Sequence, residues 1–175
     1  MRLLKHMIYQ NISIEGRVLE RKAARGIILR GNQILLLFTR RYNDYSFPGG
    51  GLEPNEELVA GLKRELKEEI GAKNIEIIQE YGYIDEYRPH YKPDYDFIHM
   101  LSYFYVCRID DELEDVQLED YELANGMSSV WMDIHKAISH NKKVIQNQES
   151  SMGLSIERET FVLEHIAEEL LCTYS

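Results

Sequence analysis

The chain of 175 residues is short of cysteine: Cys107 and Cys172 are the only two. They supply neither a disulfide framework nor a ligand pair, so a reducing cytoplasm is the expected compartment. Positive charge is scarce as well. Twenty Lys and Arg face 30 Asp and Glu, giving a formal net charge of −10. That balance argues against a general nucleic-acid binder or an anionic-membrane binder. An anionic substrate remains admissible where a cation bridges it to the protein. No apolar run approaches membrane-span length, and the opening MRLLKHMIYQNISIEGRVLERK is too charged for a signal peptide. Repeats, low-complexity tracts and Pro/Gly/Ser-rich linkers are also lacking, so one domain over 1–175 is expected.

What is present is a readable order of elements. Residues 23–30 (AARGIILR) and 33–39 (QILLLFT) predict two strands, with a tight turn at Gly31-Asn32. The second is nearly all apolar, as suits a strand covered on both faces. Residues 55–70 carry helical periodicity, and Gly71 supplies a stop. Strands are expected again in IEIIQEYGYIDEY and DFIHMLSYFYVCRI, joined by the two-proline loop RPHYKPDY. An acidic connection over 110–125 leads to a short strand through Val130 and Trp131. Asp133 is placed to cap a short helix, and Ser155 to cap a longer one over 154–173. Ile156, Leu163, Ile166, Leu170 and Leu171 would form the buried stripe of that last helix. This order predicts an α/β fold, a mixed β-sheet with helices on both faces.

The helix over 55–70 is unusual in its acids. At 100° per residue, Leu58, Val59, Leu62, Leu66 and Ile70 form one stripe for packing. Glu65, Glu68 and Glu69 fall on a neighbouring arc, with Gly61 one turn before them leaving that arc uncovered. Glu56, Lys63 and Lys67 read as the solvated side. Glu68 and Glu69 lie in the last turn, where the helix dipole favours cations, and like charges at these spacings repel. A divalent cation would remove both difficulties, and three oxygen donors on one face suit Mg²⁺, with Mn²⁺ as the alternative.

The spacing adds to this. Gly50, five residues, Glu56, seven residues, Arg64-Glu65-Leu66, one residue, Glu68-Glu69, one residue, Gly71-Ala72 resembles the signature of the Nudix hydrolases. Phe47-Pro48-Gly49 resembles the usual lead-in. A register starting at Gly51 and Glu57 is one residue too short before Arg64, which makes Gly49 and Gly51 flanking loop residues. The resemblance implies an α/β/α sandwich. It also implies hydrolysis of a nucleoside diphosphate linked to another moiety, X. By position it implies that Glu65, Glu68 and Glu69 are metal ligands, with Glu65 or Glu69 activating water. Arg64 would orient these carboxylates, Glu56 would support the loop and the metal shell, and the Gly50 carbonyl would add a ligand. The extra carboxylate that many such enzymes take from a later loop would be Glu119 or Glu122.

Other candidates rest on less. Arg40 and Arg41 end a strand within reach of phosphates, and Tyr42, Tyr45 and Phe47 could stack a base, although strand aromatics more often belong to the core. The segment from Tyr81 to Tyr95 is the expected specificity loop; Tyr87 and Pro89 within it do not decide the substrate. His90 and His99 read as loop and strand residues rather than ligands, and Cys107 as a packed strand residue. The expected partner is a small nucleotide-diphosphate substrate, with no nucleic acid and no membrane. The N-terminal extension, residues 1–22, could serve a homodimer. Two rivals share the fold: a nucleotide or nucleotide-sugar sensor that cleaves nothing, and a diphosphate isomerase, which needs a cysteine in its pocket.

Overall fold

The structure is a computed structural model and describes residues 1–171. The chain forms β1 (Leu3–Ile8), β2 (Val18–Ile27), β3 (Leu29–Arg30), β4 (Gln33–Thr39), β5 (Asp44–Ser46) and β6 (Gly49–Gly51). These are followed by α1 (Leu58–Ile70), β7 (Glu76–Pro89), β8 (Phe97–Arg108), α2 (Asp120–Asn125) and β9 (Met127–Asp133). Helices α3 (Ile134–Gln146) and α4 (Ile156–Ile166) come last, α4 running on into a π-helical turn over Ala167–Leu171. Cys172 and the end of the expected helix over 154–173 lie outside the described residues.

The strands divide between two sheets. One is mixed, in the order β1-β7-β8-β2-β6; the other is built around β4, which pairs with β3, β5 and β9. The single strand expected over 23–30 is therefore two. Its first part begins earlier, at Val18, and runs parallel to β8 through ten registered pairs. The chain then changes sheets at Ile28, whose carbonyl accepts from Leu35 N–H at 3.0 Å. The turn at Gly31-Asn32 holds, with Gly31 at φ +57° and Arg30 opposite Gln33.

The apolar run of β4 shows why the layers stack as they do. Ile34 and Leu36 face a core shared with α3 and α4, including Phe47, Phe104, Val162 and Leu163. Leu35 and Leu37 face the opposite core, where Leu62, Leu66 and Ile70 of α1 pack. Successive side chains point to opposite faces, so one strand feeds both cores and the result is an α/β/α sandwich. Helix α1 ends where Gly71 takes a left-handed conformation (φ +65°); a Cβ there would stand 2.0 Å from the Glu114 carbonyl oxygen.

Several local expectations change. Asp133 caps α3 by accepting from Lys136 N–H at 3.1 Å, but Ser155 is itself in a helical conformation and its side chain caps nothing. Val59 is exposed rather than part of the packed stripe. Helix α4 buries Ile156, Leu163 and Ile166 as expected, yet it also buries Arg158, Glu159 and Thr160. Arg158 donates to Glu86 on β7 at 2.8 Å and to Glu159 at 2.7 Å. A buried arginine held by two carboxylates satisfies the pairing that low dielectric demands.

Asp44 on β5 is buried near Glu159, and burial first, then that like charge, push its carboxyl up to about 7. Between the ordinary carboxylate value and 7 the folded chain binds the extra proton, so stability falls as pH rises through that window. Asp44→Asn removes the dependence. We expect its gain in thermal unfolding temperature to be larger at pH 8 than at pH 5; an equal gain at both would contradict this origin.

Candidate active site

The glycine strand β6 lies along β2, with Ala24 opposite Gly50 and Arg25 opposite Gly49, and α1 follows it directly. This brings the carboxylates of α1 back over the glycines. Arg64 is the hub of the arrangement. Its Nε and Nη2 donate to the two oxygens of Glu56 at 2.8 and 3.0 Å, and Nη1 donates to Glu65 at 2.8 Å and Glu68 at 3.1 Å. Nη2 also reaches the Gly51 carbonyl at 3.2 Å. The guanidinium offers five donors in a rigid plane, and here they tie three acids to one loop.

Glu56 is thus not on the solvated side. It precedes the helix, folds back onto Arg64, and accepts from Glu53 N–H at 2.9 Å. Those contacts, Arg64 foremost, lower its carboxyl to about 2. Gly61 does not leave the acidic arc open either. A Cβ there would stand 2.3 Å from Leu52 and 2.9 Å from Glu56 Oε2, so the position is small in order to admit the loop.

Glu69 sits deeper. It is buried, and its Oε2 accepts from Gly49 N–H at 2.6 Å. Burial, reinforced by Glu65 and Glu122, pushes its carboxyl up to about 8 against the pull of Gly49 and Arg25. Glu65 is raised too, mainly by burial. Both therefore feel Glu122 from the α2 loop. Glu122 is buried and accepts from Glu119 N–H at 2.8 Å, whereas Glu119 is exposed at the helix start. Of the two later carboxylates, Glu122 is the one turned toward the site.

A family model, the NUDIX domain, matches residues 20–152. The chain belongs to the Nudix hydrolase family. Among its relatives is bovine diphosphoinositol polyphosphate phosphohydrolase 3-beta, 32% identical over 118 residues, covering 67% of this chain and 62% of that protein. An RNA pyrophosphohydrolase from Campylobacter jejuni (strain RM1221) is 51% identical over 39 residues, 22% of this chain and 25% of its own. The match thus spans under two thirds of these curated relatives. The fold is similar to a mutator MutT protein from Bacillus halodurans, with TM-score 0.54 at 18% identity, over 83% of this chain and 81% of that one.

The all-oxygen donor set of this site suits a hard divalent cation, and Gly50 lets one of those donors, the Glu65 carboxylate, approach the backbone of the glycine strand. A Cβ on Gly50 would stand 2.7 Å from the Glu65 carboxylate. As the side chains stand, no three His, Cys, Asp or Glu among the described residues converge closely enough to hold a metal. The reason is visible: Glu65 and Glu68 are taken up by Arg64, and Glu69 by Gly49 N–H. The residues fit a metal, provided they turn from these partners to it.

The remaining candidates separate. Arg40 and Arg41 are exposed beside the α2 loop, where Arg40 N–H and Arg41 N–H donate to the Gly126 and Asn125 carbonyls. Phe47 is fully buried with its ring 5.3 Å from Phe104, edge to face, and so has no face for a base. Tyr45 packs between Phe38 and His140, each 5.0 Å away. The segment expected as a specificity loop is strand as far as Pro89. His99 lies on β8 between Glu20 and Asp85. Cys107 is buried and its thiol is pushed up to about 12, chiefly by burial; it is the packed residue expected, and no nucleophile for an isomerase.

Sequence reading missed a strut behind the site. Arg25 donates to the Phe47 and Gly49 carbonyls at 3.3 and 2.9 Å, and Glu159 accepts from Phe47 N–H at 3.1 Å. Through Gly49 this strut fixes the donor that holds Glu69. No local pattern links Arg25 with a helix more than a hundred residues later.

Gly50→Ala tests the crowding at Glu65. We expect a folded protein, since only a flexible side chain must move, with hydrolytic turnover reduced about a hundredfold by the displaced carboxylate. Full turnover with an unchanged unfolding temperature would show that this close approach is dispensable.

Proposed function

We propose that this protein is a Mg²⁺-dependent pyrophosphohydrolase that cleaves a nucleoside diphosphate linked to a moiety X, giving the nucleoside monophosphate and phosphorylated X. The observation that carries this reading is the convergence of Glu56, Glu65 and Glu68 on Arg64 above the glycine strand, with Glu69 beneath it. In a chain of net charge −10, such a site takes an anionic substrate only with a cation between them. The relatives' names, a diphosphoinositol polyphosphate phosphohydrolase and an RNA pyrophosphohydrolase, have in common a bond between phosphates. They support the bond cleaved and leave the group X open.

In this reading Glu65, Glu68, Glu69 and the Gly50 carbonyl hold the metal, with Glu56 supporting them and Glu122 as the extra carboxylate. Bound Mg²⁺ neutralises phosphate oxygens and lowers the pKa of coordinated water. Before the metal binds, Arg64 holds the Glu65 and Glu68 carboxylates together, which offsets the mutual repulsion of like charges on one helix face. Glu65 or Glu69 takes the proton from the attacking water. Arg40 and Arg41, exposed on the strand end, steady the departing phosphate. The reaction belongs to a cytoplasmic enzyme, consistent with the sparse cysteines.

A panel of nucleoside diphosphate derivatives with Mg²⁺ or Mn²⁺ tests this. We expect cleavage of at least one member at the phosphate anhydride. Glu68→Gln and Glu69→Gln should each lose about a hundredfold or more in kcat, as loss of charge stabilisation implies. Undiminished rates in both variants would overturn the metal assignment. Tight binding without cleavage across the panel would establish the sensor instead.

A further inference from the structure

Two elements outside the family match, β1 and α4, both meet β7 of the mixed sheet, β1 by pairing and α4 through Arg158, and a cluster of polar side chains gathers there. Register fixes which side chains share its face. Glu86 and Arg88 alternate along β7 on the side where Glu86 meets Arg158 of α4. Tyr9 continues β1, its N–H donating to the Tyr87 carbonyl at 3.0 Å. Its hydroxyl is close enough to feel Glu86, Arg158 and Arg88. Arg25 is within electrostatic range of both Arg88 and Glu69, so the cluster neighbours the candidate site.

The cluster is not internally satisfied. Among the described residues Tyr9 Oη, Arg88 Nε, Arg25 Nε, Glu86 Oε1 and Ser102 Oγ are buried atoms with no hydrogen-bond partner. Arg88 is half-buried and makes no ion pair among the described residues. The charges that act on it are Glu86, Arg158, Tyr9 and Arg25. Glu86 is the one carboxylate among these four, and its Oε2 is already taken by Arg158. The buried Nε of Arg88 lacks an acceptor, which an anion reaching it from outside would supply. Arginine's planar fork matches a phosphate group.

We propose that Arg88, assisted by the Tyr9 hydroxyl, binds a phosphate group carried by X, the part of the substrate beyond the scissile anhydride. This rests on the pyrophosphohydrolase reading for its substrate, but the site itself does not depend on catalysis. Glu86 Oε1 accepts from a hydroxyl or amine next to that phosphate. The site thus joins β7 of the family domain, which carries Arg88 and Glu86, to Tyr9 and Arg158 from the segments on either side of it.

Two measurements test it. The first compares Arg88→Gln with wild type on matched substrates whose X carries a phosphate or a free hydroxyl. We expect KM for the phosphorylated member to rise about tenfold or more, as loss of a charged hydrogen bond implies, with kcat and the KM of the hydroxyl member little changed. Equal KM changes for both members, or none, would overturn the proposal. The second follows arginine Nε–H resonances of the metal-free protein during titration with inorganic phosphate. A resonance that shifts in wild type and is missing from Arg88→Gln supports the site. No shift, or a shift that persists in the variant, overturns it. Should Arg88→Gln fail to fold, Arg88→Lys keeps the charge and also removes that resonance. Wild type that cleaves nothing, yet shifts its Arg88 resonance with phosphate, would sink the hydrolase reading and leave this site standing.

Discussion

One guanidinium organises this molecule's chemistry. Arg64 lies on the acidic side of α1 and holds Glu56, Glu65, Glu68 and the Gly51 carbonyl at once. Without it, the glutamates of α1 would repel one another at the helix end least suited to them. With it, they form an array of fixed spacing above a strand of three glycines. The rest of the fold serves that placement: α1 buries Leu62, Leu66 and Ile70 against one face of the sheets, and Gly61 shrinks to admit the loop carrying Glu56.

Below the array, Glu69 is fixed differently, by the backbone. Its acceptor bond from Gly49 depends on a strand whose carbonyls are held by Arg25, and whose neighbour Phe47 is held by Glu159. The candidate site is therefore braced on one side by its own helix and on the other by α4. This explains why α4 buries charged residues beside its expected apolar stripe. Arg158 pairs with Glu159 as well as Glu86, so the buried carboxylate that grips Phe47 N–H does not stand alone.

Much of this was legible in the sequence, and the pattern of what was not is informative. The spacing from Gly50 to Ala72 located the acids, and the unbroken apolar run of β4 announced a strand covered on both faces. Both depend on neighbours in sequence. The errors arose where distant segments decide. Glu56 looked solvated because helical rotation says nothing about a residue that precedes the helix and folds back. Gly61 looked like an opening because its filler, Leu52, comes from a loop. Phe47 looked available to a base until Phe104, on β8, was found against its ring. Ser155 had a capping residue's identity but a helical backbone. Arg25, Arg158 and Arg88 carry no local signal, since their meaning lies in how β2, α4 and β7 come together.

The central claim is that Glu65, Glu68 and Glu69 leave their present partners to share a divalent cation. The most direct measurement is a crystal structure with Mn²⁺, read at the manganese absorption edge. The account predicts an anomalous peak ligated by these three carboxylates, with Glu65 and Glu68 turned from Arg64. A well-diffracting Mn²⁺-soaked crystal with no peak there, and Arg64 still holding both carboxylates, would contradict it.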